Sequence, residues 1–162
     1  MNLASLNFFR HLTPELSTFL IAMIPIGELR ASLPIALTVY DLPLTKAFFW
    51  SVFGNIIPGI LLLWLLPPLT KFLENHFSPL HRFFHWLFER TRRKHSQKFE
   101  YWGAVALISF VAIPLPMTGV WTGAVAAFVF GVPFKKAAFY ISLGALIAGI
   151  IVSIVSLGIL KI

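Results

Sequence analysis

The sequence contains no cysteine, which excludes disulfides, thiolate metal sites and thiol nucleophiles. Charge is almost as scarce: Asp, Glu, Lys and Arg make up 12% of the 162 residues, against about 25% in soluble domains. Phe48 to Leu66 and Ala137 to Leu160 hold no charged residue at all. Each of these stretches is long enough to cross a hydrocarbon core of about 30 Å at 1.5 Å per residue. With 58% hydrophobic residues and a mean hydropathy of +0.85, the chain reads as an integral membrane protein. Met1 to Leu12 carries one basic residue, Arg10, and no small-residue cleavage pattern follows, so the first apolar segment is expected to stay in the mature chain.

What charge there is lies unevenly. Seven of the thirteen basic residues fall between Lys71 and Lys98, among aromatics, which fits a membrane surface better than nucleic acid. From Pro79 to about Lys94, helical spacing gathers Leu80, Phe83, Phe84, Trp86, Leu87 and Phe88 on one face. His81, Arg82, His85, Glu89, Arg92 and Arg93 fall on the other. Ser78 and Pro79 suit an N-cap and first turn. The segment reads as an interfacial amphipathic helix against an anionic leaflet. His81, His85 and Glu89 share a face, but the surrounding arginines disfavour a metal cation; no metal and no cofactor is expected.

The second half repeats the first. Leu42 to Ile60, moved ninety positions on, falls on Val132 to Ile150 with eight identities in nineteen positions, among them Pro43/Pro133, Lys46/Lys136, Gly54/Gly144 and Gly59/Gly149. Upstream the match slips by one residue, laying Ile24-Pro25-Ile26-Gly27 over Ile113-Pro114-Leu115-Pro116. Each half is thus an interrupted apolar stretch, a Pro-Lys turn and a longer apolar helix, and paired interrupted segments point to a transporter site. In the first stretch the interruptions are Pro25, Gly27 and Pro34, with Glu28 and Arg30 beside them; in the second they are Pro114, Pro116, Thr118 and Gly119. A plain helix is poorly served by central proline and charge. The alternative is a re-entrant hairpin whose arms of about twelve residues reach only about 18 Å. Irregular backbone at that depth must be covered by protein or line a cavity, so the two tips are expected to face each other. One hairpin plus one crossing helix per half makes the repeat inverted.

The expected fold is therefore an all-α membrane protein with an inverted repeat. Residues 13–69 form the first repeat (hairpin 13–40, transmembrane helix 45–66). Residues 70–100 form the basic cytoplasmic segment. Residues 101–160 form the second repeat (hairpin 101–131, helix 137–160). Positive-inside bias puts nine basic residues on the cytoplasmic side and three opposite, in this topology and in a plain four-helix one alike.

The runs Gly27-Glu-Leu-Arg-Ala-Ser-Leu-Pro-Ile-Ala36 and Ile113-Pro-Leu-Pro-Met-Thr-Gly-Val-Trp-Thr-Gly-Ala124 resemble the small multi-drug export protein family, from about Pro14 to Ile159. That family is similar to the DedA superfamily of bacterial membrane proteins. The resemblance implies two re-entrant hairpins, a bacterial inner-membrane location, and lipid-phosphate translocation or proton-coupled transport. It departs from the DedA pattern in the second hairpin, where Ser109 to Phe130 carries no charge instead of arginines.

Glu28 is the one carboxylate within the apolar part of either interrupted segment, and intramembrane ionisable groups are functional candidates. A desolvated carboxyl keeps its proton more readily and a nearby cation opposes this, which suits proton coupling; a local Glu28–Arg30 pair is the structural alternative. Arg30 suits an anionic headgroup, or it neutralises Glu28. Asn55 lines a pathway or bonds between helices. Thr118 and Thr122 are ligands or caps, and Trp121 packs or stacks on substrate. Gly119-Val-Trp-Thr-Gly123 allows close helix approach, within a subunit or in a homodimer.

The leading expectation is a small secondary transporter of DedA-like type, moving an amphipathic substrate such as a polyprenyl phosphate, with membrane lipids and protons as partners. Export of hydrophobic cationic drugs, with Glu28 as counter-ion, is the alternative. A membrane scaffold binding anionic lipid through 70–100 is the alternative of another class. Neither interrupted segment holds His, Cys or Asp, so an enzyme is not expected.

Overall fold

The computed structural model describes residues 12–76, 97–115 and 118–160. All regular structure among them is helical: α1 Pro14–Met23, α2 Glu28–Thr38, α3 Leu44–His76, α4 Gln97–Ala112, α5 Val120–Val129 and α6 Phe134–Leu160. The amphipathic segment around residues 79–94, Pro116 and the histidine group lie outside the described residues.

The interrupted stretches break where their residues require it. Thr13 caps α1 by accepting from the Leu16 N–H at 3.4 Å, Pro14 occupies the first turn, and Glu15 adds negative charge at the positive helix end. α1 stops at Met23 because Ile24 precedes Pro25 and takes the extended conformation that a following proline enforces. The Glu28 N–H closes the turn on the Ile24 carbonyl at 3.0 Å. In the second stretch α4 ends before Ile113-Pro114, and the Thr118 hydroxyl donates to the carbonyls of Ile113 and Leu115 at 2.9 and 2.8 Å. Within 13–40 and 101–131 the chain forms the helix pairs α1–α2 and α4–α5, the two helices of each pair packed together.

Both long helices exceed the sequence expectation. α6 starts at Phe134 rather than 137, and α3 runs to His76 rather than ending near Leu66. Pro67 and Pro68 do not stop it, since proline's fixed φ is compatible with the helix and the cost is the lost donor. Just beyond them Thr70 returns its hydroxyl to the Leu66 and Pro67 carbonyls at 3.0 and 2.9 Å.

The chain divides into two compact units, one comprising Met1–Ile57 with Ala145–Ile162, the other Pro58–Gly144. In the first, α1 and α2 share a core with the beginning of α3 and the end of α6. Phe19, Phe49, Trp50 and Phe53 form a closed set of ring contacts, with centroids 5.5–6.2 Å apart. Lys46 bonds Glu15 at 2.9 Å, and Gly149 meets Val52 and Phe48. In the second unit, Gly59 lies against Val120, and Gly123 against Val111 and Leu107. Buried Leu63, Leu107, Val111, Ala124 and Ile141 fill its interior.

The duplication extends to packing. Gly54 fits against the Phe19 carbonyl and Ala22, and Gly144 against the Ile108 carbonyl and Val111, eighty-nine positions further along the partner helix. On the long helices, 47, 51, 54, 55, 58, 59 and 63 are buried, as are their counterparts ninety positions on. On the second arms, Glu28, Leu29, Ser32, Leu33 and Ala36 are buried in the same rhythm as Gly119, Val120, Gly123, Ala124 and Ala127, an offset of ninety-one.

Candidate functional site

Two repeats with one burial pattern differ sharply in what they bury. In the first unit the interior holds Ser17, Thr18, Glu28, Ser32, Ser51, Asn55, Ser153 and Ser156. Their counterparts on the hairpin arms and the first long helix include Leu107, Gly119, Gly123, Ile141 and Ala145, none with a polar side chain. Thr70 is the buried polar side chain among the described residues of the second unit. Polarity in this fold is therefore an addition to one unit and not a requirement of the packing.

Glu28 is the charged member of that set. It is the first residue of α2, only 5% exposed, with φ of +52°. A left-handed φ costs a side-chain-bearing residue roughly 1–2 kcal/mol, and at the corresponding place the other repeat has Gly119, with φ of +147°. A glutamate thus stands buried where the fold's other copy uses glycine. Such an outlier is a reason to look for function. Arg30, two residues on, is half-buried, and Glu28 is the charge that acts on it.

The other sequence-predicted residues divide. Asn55 is 1% exposed on α3, in the same unit as Glu28, and its Oδ1 has no hydrogen-bond partner among the described residues. Pro25 is exposed in the first turn, with Gly27 half-buried beside it, and half-buried Pro34 sits inside α2. In the other unit, Thr118 makes the turn-closing bonds given above, and Thr122 donates to the Gly119 carbonyl at 3.3 Å, so both hydroxyls serve local backbone. Pro114 is exposed and Trp121 half-buried, with its Nε1 buried and without a hydrogen-bond partner among the described residues.

Sequence reasoning missed Ser32, Ser51, Ser153 and Ser156. The available signal was pairing at helical spacing: Glu28 with Ser32, Ser51 with Asn55, and Ser153 with Ser156 each fall on one face of an otherwise apolar helix. Among the described residues no three of His, Cys, Asp and Glu gather as a metal site.

The long helices point to the class. Only 39% of the most apolar window of Leu44–Phe72, and of Phe134–Ile159, is buried within the protein. Trp64, Phe139, Ile154 and Ile159 stand 64–69% exposed, apolar surface that a water-soluble protein rarely carries in such quantity. Among its described residues this is an all-helical membrane protein with two helices fit to cross a bilayer and with every buried polar side chain but Thr70 in one of its two units. A family model described as "Putative small multi-drug export protein" matches residues 28–151, and the chain belongs to that family. No curated protein and no solved structure matches it.

Proposed function

We propose that the protein is a small proton-coupled exporter of hydrophobic organic cations, and that Glu28 alternately holds the cation and a proton. The observation that carries this is the buried, conformationally strained carboxylate at a position where the other repeat has glycine. Family membership favours drug export over the lipid-phosphate reading, since the description of the matching family names multi-drug export. Charge exchange supplies the cycle. A carboxylate in a low-dielectric interior attracts a lipophilic cation strongly, and protonation of the same oxygen removes the attraction and releases it. Arg30 then limits how long Glu28 stands as an uncompensated charge.

In this reading α1–α2 and α4–α5 are re-entrant hairpins, α3 and α6 are the two crossings, and the repeats run inverted. Helices of 10 and 11 residues support it, because at 1.5 Å per residue they reach roughly 15–17 Å, half of the hydrocarbon core. The location is the plasma membrane of a prokaryote, with residues 70–100 cytoplasmic.

A second reading keeps lipid-phosphate transport, and half-buried Arg30 is what favours it, since guanidinium matches phosphate. Purified protein in liposomes, loaded with ethidium and given a pH gradient, separates the two. Glu28→Gln should abolish ethidium movement and Arg30→Gln should leave most of it. Wild-type ethidium flux in Glu28→Gln would end the mechanism. Loss of lipid-phosphate movement alone in Arg30→Gln would install the second reading.

A further inference from the structure

Ser51 and Asn55 lie one helical turn apart on α3, at 0% and 1% exposure, and neither Ser51 Oγ nor Asn55 Oδ1 has a hydrogen-bond partner among the described residues. Buried polar atoms left this way are rare and costly, and each asks for an explanation. Among the described residues Thr18, Thr70 and Ser153 have one, returning their hydroxyls to the carbonyl four residues back at 2.7–3.0 Å. Ser51 does not. The Gly54 carbonyl lies on the same turn and lacks its usual helical donor, because Pro58 has no N–H.

At 100° per residue, Ser51, Asn55 and Pro58 occupy one sector of α3 about 60° wide. Gly54, packed on Phe19 and Ala22, flanks it on one side, and Val52, packed on Gly149, on the other. Protein of the same unit thus packs on both flanks of Ser51 and Asn55. The sector's repeat supplies the control: Ile141, Ala145 and Ala148 are equally buried and carry no polar atom.

We propose that Ser51 Oγ, Asn55 Oδ1 and the Gly54 carbonyl form an acceptor subsite that takes an N–H or O–H donor of the transported cation. The proposal rests on the export reading and deepens it. Glu28 attracts any cation by charge, whereas this seam selects cations that also offer a hydrogen-bond donor.

Equilibrium binding to the purified protein tests it with two cations, ethidium, which carries two aryl amines, and tetraphenylphosphonium, which has no donor. The double variant Ser51→Ala, Asn55→Ala, which moves both sites toward the apolar repeat, should weaken ethidium about tenfold and leave tetraphenylphosphonium within about twofold. Glu28→Gln should weaken both. Unchanged ethidium affinity, or equal losses for the two cations, overturns the subsite and leaves the export reading standing. If wild-type protein binds neither cation, the export reading falls and takes the subsite with it. Thermal unfolding of the ligand-free double variant gives an independent check. It should match or exceed wild type, and a fall of several degrees would mean that these groups make structural bonds, which also overturns the proposal.

Discussion

Gly54 presents its Cα to the carbonyl oxygen of Phe19 so closely that a methyl group there would collide with backbone. The second repeat has the same arrangement at Gly144, where an added Cβ would stand 2.9 Å from the Ile108 carbonyl and 2.7 Å from the Val111 Cβ. Backbone cannot move aside as a side-chain tip can. These two glycines are where the long helix of each repeat meets its hairpin.

Gly54→Ala and Gly144→Ala should each destabilise the protein by about 1–3 kcal/mol, the usual range for overpacking. Gly103 and Gly158 serve as controls. They lie in α4 and α6 with nothing among the described residues within 4 Å of an added Cβ, so alanine there should be neutral or stabilising. Thermal unfolding in detergent ranks the four. Equal effects at all four positions would deny the close approach.

Much of this packing was legible in the sequence. The spacing shared by Gly54/Gly144 and Gly59/Gly149 gave the register of the long helices, and Pro25 and Pro114 marked both breaks, because proline acts locally and its consequence needs no tertiary knowledge. The pairing of Glu28 with Gly119 was not legible. The second turn carries two more residues than the first, so an alignment on Pro25/Pro114 sets Glu28 opposite Met117, and only the burial of both arms restores the register. Ser51 escaped notice for a different reason. A serine in an apolar helix ordinarily bonds its own backbone, and the absence of that bond appears only in three dimensions.

The strain at Glu28 predicts an inverted ranking of two substitutions. Glu28→Ala and Glu28→Gly both remove the carboxylate and should both lose export. In an ordinary helix alanine is the more stable by about 1 kcal/mol. Here glycine should win by about that much, because it adopts positive φ without the Cβ penalty. Unfolding of the two purified variants, compared side by side, decides it, and alanine proving the more stable would remove the strain from the account.

The Lys46–Glu15 pair joins the start of α3 to the first turn of α1 at 2.9 Å. Glu15 lies outside both long helices, and its carboxyl is held below the usual range by the hydrogen bond from Lys46 first and a backbone hydrogen bond second. A depressed carboxylate pKa stabilises the fold above the unfolded value of about 4.3, and that contribution fades as pH falls through the lower folded value. Wild type should therefore out-melt Glu15→Gln near neutrality by a small margin, 57% exposure of the lysine allowing no more, and the margin should close on acidification and shrink in high salt. A margin that widened with acid would reverse the assignment.

Pro43 and Pro133 decide the topology. They are repeat counterparts, both exposed, each accepting the N–H four residues on, of Ala47 and Ala137, at 3.0 and 2.9 Å, at the entrance to a long helix. If α1–α2 returns to the side it entered from, Pro43 stands on that side. α3 then crosses, α4–α5 returns, and Pro133 stands on the other. If each helix pair crosses the membrane instead, both prolines share a side. The chain has no cysteine to confuse the reading, so Pro43→Cys and Pro133→Cys can be labelled with an impermeant maleimide on intact cells. Opposite accessibility is expected, because α1 and α2 at roughly 15–17 Å can each reach the middle of the bilayer and no further, which is the depth at which a buried Glu28 can exchange a cation for a proton from either side. Labelling from one side would mean four plain crossings, and the inverted hairpins would have to be given up.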